Sequence, residues 1–161
     1  MIELRGDLSR SFADGLLVRS ARSEDLPELV SLLGQLHAED APPDMERLSA
    51  TFAQMLATPA RAVLVACVGE ALVGTLDLEV VANLTHGGRP WAGIENVVVD
   101  AAYRRRGVGR ALAEVAVELA REAGCYKLQL LSREDRQAAH ALYEASGFDV
   151  RVRGFRRYLE P

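Results

Sequence analysis

The sequence predicts a mixed α/β fold, a mostly antiparallel sheet with helices on both faces. Three observations carry that expectation. Apolar runs at 62–68 and 72–81 flank Gly69-Glu70, the mark of a β-hairpin. A strand pattern, an amphipathic helix and a second strand follow one another across 91–131, which implies a parallel crossover. Two stretches, 26–37 and 107–123, repeat apolar residues at the 3, 4, 7 spacing of a helix with one buried face.

The 161 residues fit one domain, 1–161. Residues 1–15 are polar and mixed in charge and read as a loosely held N-terminal arm. Leu16 to Ser20 is the first expected strand. Asp25, with Glu28 three residues on, forms a capping box for a helix reaching His37. Pro42 and Pro43 interrupt it, and a second helix is expected from Met45 to Ala57, stopped at Thr58-Pro59. The hairpin follows, then a polar glycine-bearing loop at 83–90. Trp91 to Asp100 is dense in β-branched residues, which predicts a strand buried on both faces. In the helix at 107–123, Val108, Ala111, Leu112, Val115, Ala116, Leu119 and Ala120 share one face. Gly124 ends it, and Tyr126 to Leu131 is the next strand. A helix from Arg136 to Ser146, stopped by Gly147, and strands at Phe148 to Val152 and Phe155 to Leu159 complete the order.

Composition narrows the function. The chain is 49% apolar and 26% charged, with 19 basic against 23 acidic residues and a net charge of −4. Such a chain has no general basic field to gather nucleic acid or an acidic membrane. Its longest apolar run, Ala62 to Val68, is far too short to span a bilayer, and the first residues lack the apolar block of a secretory signal. Cys67 and Cys125 sit in apolar runs and read as buried thiols, too few for a disulfide framework or a zinc site. A cytoplasmic protein without a metal is expected. The basic residues are 18 arginines and Lys127, and the planar guanidinium suits phosphate oxygens.

The informative segment runs from Val97 to Ala111. A strand ends, a short loop carries Arg104, Arg105 and Arg106, and a helix starts at Gly107-Val108-Gly109. Free amides at a helix N-terminus carry partial positive charge and favour an anion. Glycine lets a phosphate approach the backbone, and the arginines add charge, so the turn is read as a diphosphate cradle, with a basic helix start whose glycines serve tight packing as the alternative. It is not a nucleotide-hydrolysing loop, because Arg110 and Ala111 replace the required lysine and hydroxyl. The spacing of the dinucleotide fingerprint also fails.

Arg104-x-x-Gly107-x-Gly109 after a β-branched strand resembles the acyl-CoA signature of the GCN5-related N-acetyltransferase (GNAT) superfamily. The likeness covers most of the chain, from Leu17-Val18-Arg19-Ser20-Ala21 and Glu24-Asp25-Leu26 to Leu142-Tyr143-Glu144-Ala145-Ser146-Gly147-Phe148. It implies a GNAT-like sheet with a splayed central strand pair and acetyl-CoA as acyl donor. By the same resemblance, Arg104, Arg105, Arg106, Gly107, Val108, Gly109, Arg110 and Ala111 hold the coenzyme diphosphate. Val97 and Val99 pair with its pantetheine arm, and an amide near Val98 or Val99 faces the thioester oxygen. Tyr143 stands at the general-acid position; a tyrosine stacking on the sheet edge is its structural alternative. Arg136 stands where the family often has a pantetheine-contacting asparagine.

Acyl transfer also needs something to take the amine proton. Glu95, an acid within a strand expected to be buried, is the leading candidate, and burial would raise its basicity. An arginine-paired strand-end carboxylate is the competing assignment. Asp77, Glu79, His86 and His37 are weaker rivals. Segments 37–44 and 83–90 are expected to frame the acceptor pocket.

Ile94-Glu95-Asn96-Val97-Val98-Val99 and Gly124-Cys125-Tyr126-Lys127-Leu128 resemble strand motifs of glucosamine-6-phosphate N-acetyltransferases. A small-molecule primary amine is the expected acceptor, with glucosamine 6-phosphate the narrower reading. A noncatalytic acyl-CoA-binding sensor is the alternative. The arginines at 151, 153, 156 and 157 read as a solvated strand face, with a homodimer edge the alternative that the resemblance supplies.

Overall fold

The computed structural model describes residues 4, 7–36, 44–149, 154–155 and 157–159. Among these, six strands lie side by side in chain order: Ser9–Ser11 (β1), Leu16–Ser20 (β2), Arg61–Val68 (β3), Ala71–Val81 (β4), Trp91–Val99 (β5) and Leu128–Leu130 (β6). Every neighbouring pair is antiparallel except β5 and β6, which run parallel as the crossover requires. The described helices are Leu26–Gly34 (α1), Met45–Leu56 (α2), Val108–Glu122 (α3) and Gln137–Ala145 (α4).

Alternation along the strands builds a core on each face of the sheet. Leu64, Leu76, Leu78 and Ile94 point to one side and pack against Val108, Leu112, Val115 and Leu119, the apolar stripe of α3. Val63, Val65 and Cys67 point to the other side and meet Leu29 of α1 and Phe52 of α2. Each fully buried Leu or Val contributes about 1.5–3 kcal/mol relative to exposure. The β3–β4 hairpin turns at Gly69, whose φ of +59° suits a residue without a Cβ.

Several elements differ from the sequence reading. Within the expected N-terminal arm, β1 pairs with β2 and Leu4 is buried, its amide donating to the Pro59 carbonyl at 2.8 Å. Arg10 then ties β1 to Glu114 and Glu118 on α3. The capping box at Asp25 does not form. Glu28 reaches across to accept the Leu72 amide at 3.2 Å, and Asp25 accepts the Arg22 amide at 2.7 Å and the Arg19 guanidinium at 2.6 and 2.7 Å. The first helix ends at Gly34; His37 lies outside the described residues. The second helix forms with Asp44 as its cap, accepting from the Glu46 and Arg47 amides. Cys67 is buried as expected, but Cys125 is only half-buried. Of the two expected C-terminal strands, residues 150–152 and 156 lie outside the described residues; Phe148, Asp149, Phe155 and 157–159 are not in strands.

Burial alone would push the Asp25 carboxyl up, but Arg19 and the Arg22 amide together hold it below the usual carboxylate value. The stability this pair contributes is present above pH 3.8 and is lost as pH falls through the lower folded value. Arg19→Met leaves a buried carboxylate without its partner and should destabilise the protein by about 3 kcal/mol in denaturant unfolding at pH 7. A change below about 0.5 kcal/mol would show the pair to be idle.

Candidate active site

The site begins where β5 and β6 part. They pair only through Ala92–Ile94 and Leu128–Leu130. Just past that point β5 carries a bulge: Thr75 faces Val98 and Asp77 faces Glu95, so two residues of β5 oppose Leu76 alone. Asn96 adopts φ +55° to make it. The strand is therefore not buried on both faces as the β-branched run suggested. Val98 is buried, Val97 and Val99 are half-buried, and Glu95 and Asn96 are exposed. The expectation that burial would sharpen Glu95 as a base fails for the same reason. The sequence could not announce it, because it depends on how short β6 is.

Beyond β5, Asp100 caps a short 3-10 turn, Ala101–Tyr103, by accepting the Ala102 amide at 2.8 Å. The three arginines that follow are exposed. Arg104 Nε donates to the Val99 carbonyl at 3.1 Å, Arg105 stands at φ +61°, and the Arg106 guanidinium lies 5.3 Å from the Tyr103 ring centre. Gly107 precedes α3 at φ +82°, and a Cβ on it would meet nothing within 4 Å. The helical ladder begins with the Ala111 amide on the Gly107 carbonyl, 2.9 Å, so the amides of Val108, Gly109 and Arg110 belong to the unladdered first turn. An open corner with left-handed backbone, first-turn amides and exposed guanidinium groups fits a diphosphate.

Gly109 also meets a packing need. A Cβ there would sit 2.8 Å from Leu142 Cδ2 and 3.6 Å from Val99 Cγ2. Its bare Cα seats α4 against the start of α3.

Tyr143 follows Leu142 on α4 and is half-buried, with its ring edge-on to Phe148 at 5.8 Å. Burial pushes its phenol above the ordinary value; the Arg136 guanidinium draws it down, and the Glu95 carboxylate adds to the rise. Arg136 and Glu95, from the N-cap of α4 and from β5, thus both act on the Tyr143 phenol. His140 is tied elsewhere, its ring nitrogen 2.9 Å from the Arg133 carbonyl.

On the α1 and α2 side of the sheet, a cavity of about 180 Å³ opens beside Glu95. Gly93 and Ile94 lie between Trp91 and Glu95, and Gln129, Leu130 and Leu131 of the β6 edge face them. Its charged lining is Arg61, Asp77, Glu79 and Glu95. Asp77 is 4% exposed and binds Arg61, which donates through Nε at 2.9 Å and through Nη2. Sequence reading missed Arg61, Trp91 and Gln129, because only the pairing register brings them together. Segment 83–90 is absent from the lining; Arg89 is turned to the Gly124 and Cys125 carbonyls and His86 stacks on Tyr126 at 3.9 Å. Of segment 37–44, only Asp44 is described. Among the described residues, no cluster of His, Cys, Asp and Glu could hold a metal ion, and no helix is long and apolar enough to cross a membrane.

Residues 26–148 match the acetyltransferase (GNAT) family. The chain belongs to that family. It is 35% identical over 143 residues to a glucosamine 6-phosphate N-acetyltransferase of Trypanosoma brucei brucei, covering 88% of this chain and 94% of that one. It is 34% identical over 127 residues to an aminoglycoside N(6')-acetyltransferase type 1 of Stenotrophomonas maltophilia, covering 76% and 80%. A solved structure from Agrobacterium tumefaciens str. C58 is 40% identical and superposes with a TM-score of 0.83 over 88% of this chain and 98% of that one. This GNAT protein is therefore an N-acetyltransferase acting on amines, in a family that uses acetyl-CoA as donor.

Proposed function

We propose that this GNAT enzyme moves an acetyl group from acetyl-CoA to a primary amine of a small cationic molecule, by direct attack with both substrates bound. The observation that carries the acceptor class is the cavity lining. Its guanidinium, Arg61, is already bound to Asp77, while Glu79 and Glu95 bring further negative charge. Such a lining concentrates ammonium groups and repels phosphate.

Acetyl-CoA supplies a thioester whose carbonyl carbon accepts the amine nitrogen and whose sulfur leaves. The turn from Arg104 to Ala111 grips the diphosphate, and the edge of β5 at Val97 and Val99, beside which no described strand pairs, aligns the pantetheine arm. Arg136, at the splay, supports that arm. An amide at Val98 or Val99, beside the bulge, faces the oxygen on which negative charge grows. Glu95 takes the proton that the amine sheds as the new C–N bond forms, directly or through one water. Tyr143 gives its phenolic proton to the sulfur as the C–S bond breaks and regains one from solvent. Placing two substrates side by side supplies most of the acceleration.

The two curated relatives point to different acceptors, and this charge pattern favours the multiply aminated one. The test is thiol release across amino sugars, polyamines and glucosamine 6-phosphate. Multiply aminated acceptors should exceed glucosamine 6-phosphate in kcat/KM by at least about 10-fold, about what one ion pair supplies. Glu79→Gln should shrink that preference. Glucosamine 6-phosphate as the best acceptor would overturn the reading.

A further inference from the structure

Gln35, the C-cap of α1, reaches the far side of the coenzyme corner. Its side-chain Nε2 donates to Asp100 Oδ2 at 2.9 Å, and its Oε1 accepts the Ala101 amide at 3.3 Å. Both ends of one amide are thus used on two consecutive residues, at the point where β5 hands over to the arginine-bearing turn. Asp100 in turn accepts the Ala102 amide at 2.8 Å. One residue beyond that 3-10 turn, Arg104 is held to the Val99 carbonyl. From β5 to Arg104, the route into the diphosphate turn is therefore fixed by a short chain of polar contacts, to which β4 adds the Val73 carbonyl, accepting the Asp100 amide at 2.9 Å, and Gln35 adds the side-chain contacts from the end of α1. The ordinary reason for a polar side chain at a helix end, satisfying its own last carbonyls, does not apply, since both functional atoms of Gln35 are spent on the other element.

We infer that Gln35 is a positioning residue for coenzyme binding: it sets the Asp100–Ala101 step and through it the aim of the turn at 104–107. The inference rests on the reading of that turn as the diphosphate site. The groups facing Asp100 are Gln35 from α1 and the Ala102 amide and Arg104 guanidinium from its own loop, and together they hold its carboxyl below the ordinary value.

Glutamate at 35 keeps the shape and reverses the chemistry. At pH 8, Gln35→Glu sets two carboxylates against each other and removes the donor. At pH 5, a proton shared between them restores a donor–acceptor contact. Calorimetry with coenzyme A should show Gln35→Glu binding about 10-fold more weakly than wild type at pH 8 and within about 2-fold at pH 5. Gln35→Met should lose about 5-fold at both pH values, with a melting temperature close to wild type. A ratio to wild type that is the same at pH 5 and pH 8 for Gln35→Glu, or full affinity in Gln35→Met, would overturn the inference. Arg105→Glu, measured alongside, separates the two claims. If it binds coenzyme A normally, the diphosphate assignment itself has failed; if it binds weakly while the Gln35 variants do not, only the positioning role has.

Discussion

Tyr143→Phe should lower kcat by about 100-fold while leaving the KM for acetyl-CoA within about 2-fold of wild type. The ring is half-buried and rests on Phe148, so phenylalanine preserves the packing and deletes only the hydroxyl. The direction of the pH effect follows from the surroundings. Burial disfavours the phenolate, and Glu95 disfavours it further, whereas Arg136 partly offsets both. The phenol therefore keeps its proton past its ordinary value of 10.0, and the protonated form is the one that can give a proton to sulfur. In the wild type kcat should hold through neutral pH and fall only as pH rises through the elevated Tyr143 value. In the phenylalanine variant that alkaline fall should disappear along with most of the rate. Equal kcat in the two proteins would remove Tyr143 from the chemistry and leave it as a packing residue.

Those residues differ in how openly the sequence displays them. The shape of the turn proposed for the diphosphate was legible because its requirements are local: positive φ at Gly107, a helix start, and guanidinium groups within a few residues. The fold was legible for a related reason, since the two-residue and 3.6-residue periods of β3, β4 and α3 report directly which side is buried. What escaped notice depends on partners far along the chain. Asp25 and Glu28 have the spacing of a capping box, yet Arg19 and the Leu72 amide outbid the helix end for their oxygens. Glu95 looked buried because Val97, Val98 and Val99 follow it; β6 stops at Leu130, and the edge beside Glu95 is left open. The loop at 83–90 has the composition of a binding loop, but Arg89 fastens it to the end of α3. Gln35 carried no motif at all, and only the approach of α1 to the end of β5 gives its amide a task.

Gly109→Glu should raise the dissociation constant for coenzyme A by about 100-fold or more, read by calorimetry. Two effects add. A carboxylate at an anion-binding turn opposes the diphosphate by about 4 kcal/mol at 4 Å in a partly screened site, which alone exceeds a factor of 100. The side chain must also enter the space between Leu142 and Val99, which even a Cβ would crowd to 2.8 Å of Leu142 Cδ2. Gly109→Ala isolates the second effect. It adds no charge, so coenzyme affinity should stay within about 2-fold, but Leu142 must move and Tyr143 with it, and kcat should fall by roughly 3–10-fold. If Leu142 is the obstacle, Leu142→Ala in the Gly109→Ala background should recover part of that loss, because the double variant restores the room that α4 needs. An alanine variant weakened only in coenzyme affinity, with kcat intact, would mean that Gly109 is small for the phosphates and not for α4. An unchanged dissociation constant in Gly109→Glu would mean that the diphosphate does not bind at this corner, and with it the alignment of the thioester beside Glu95 and Tyr143 would have to be given up.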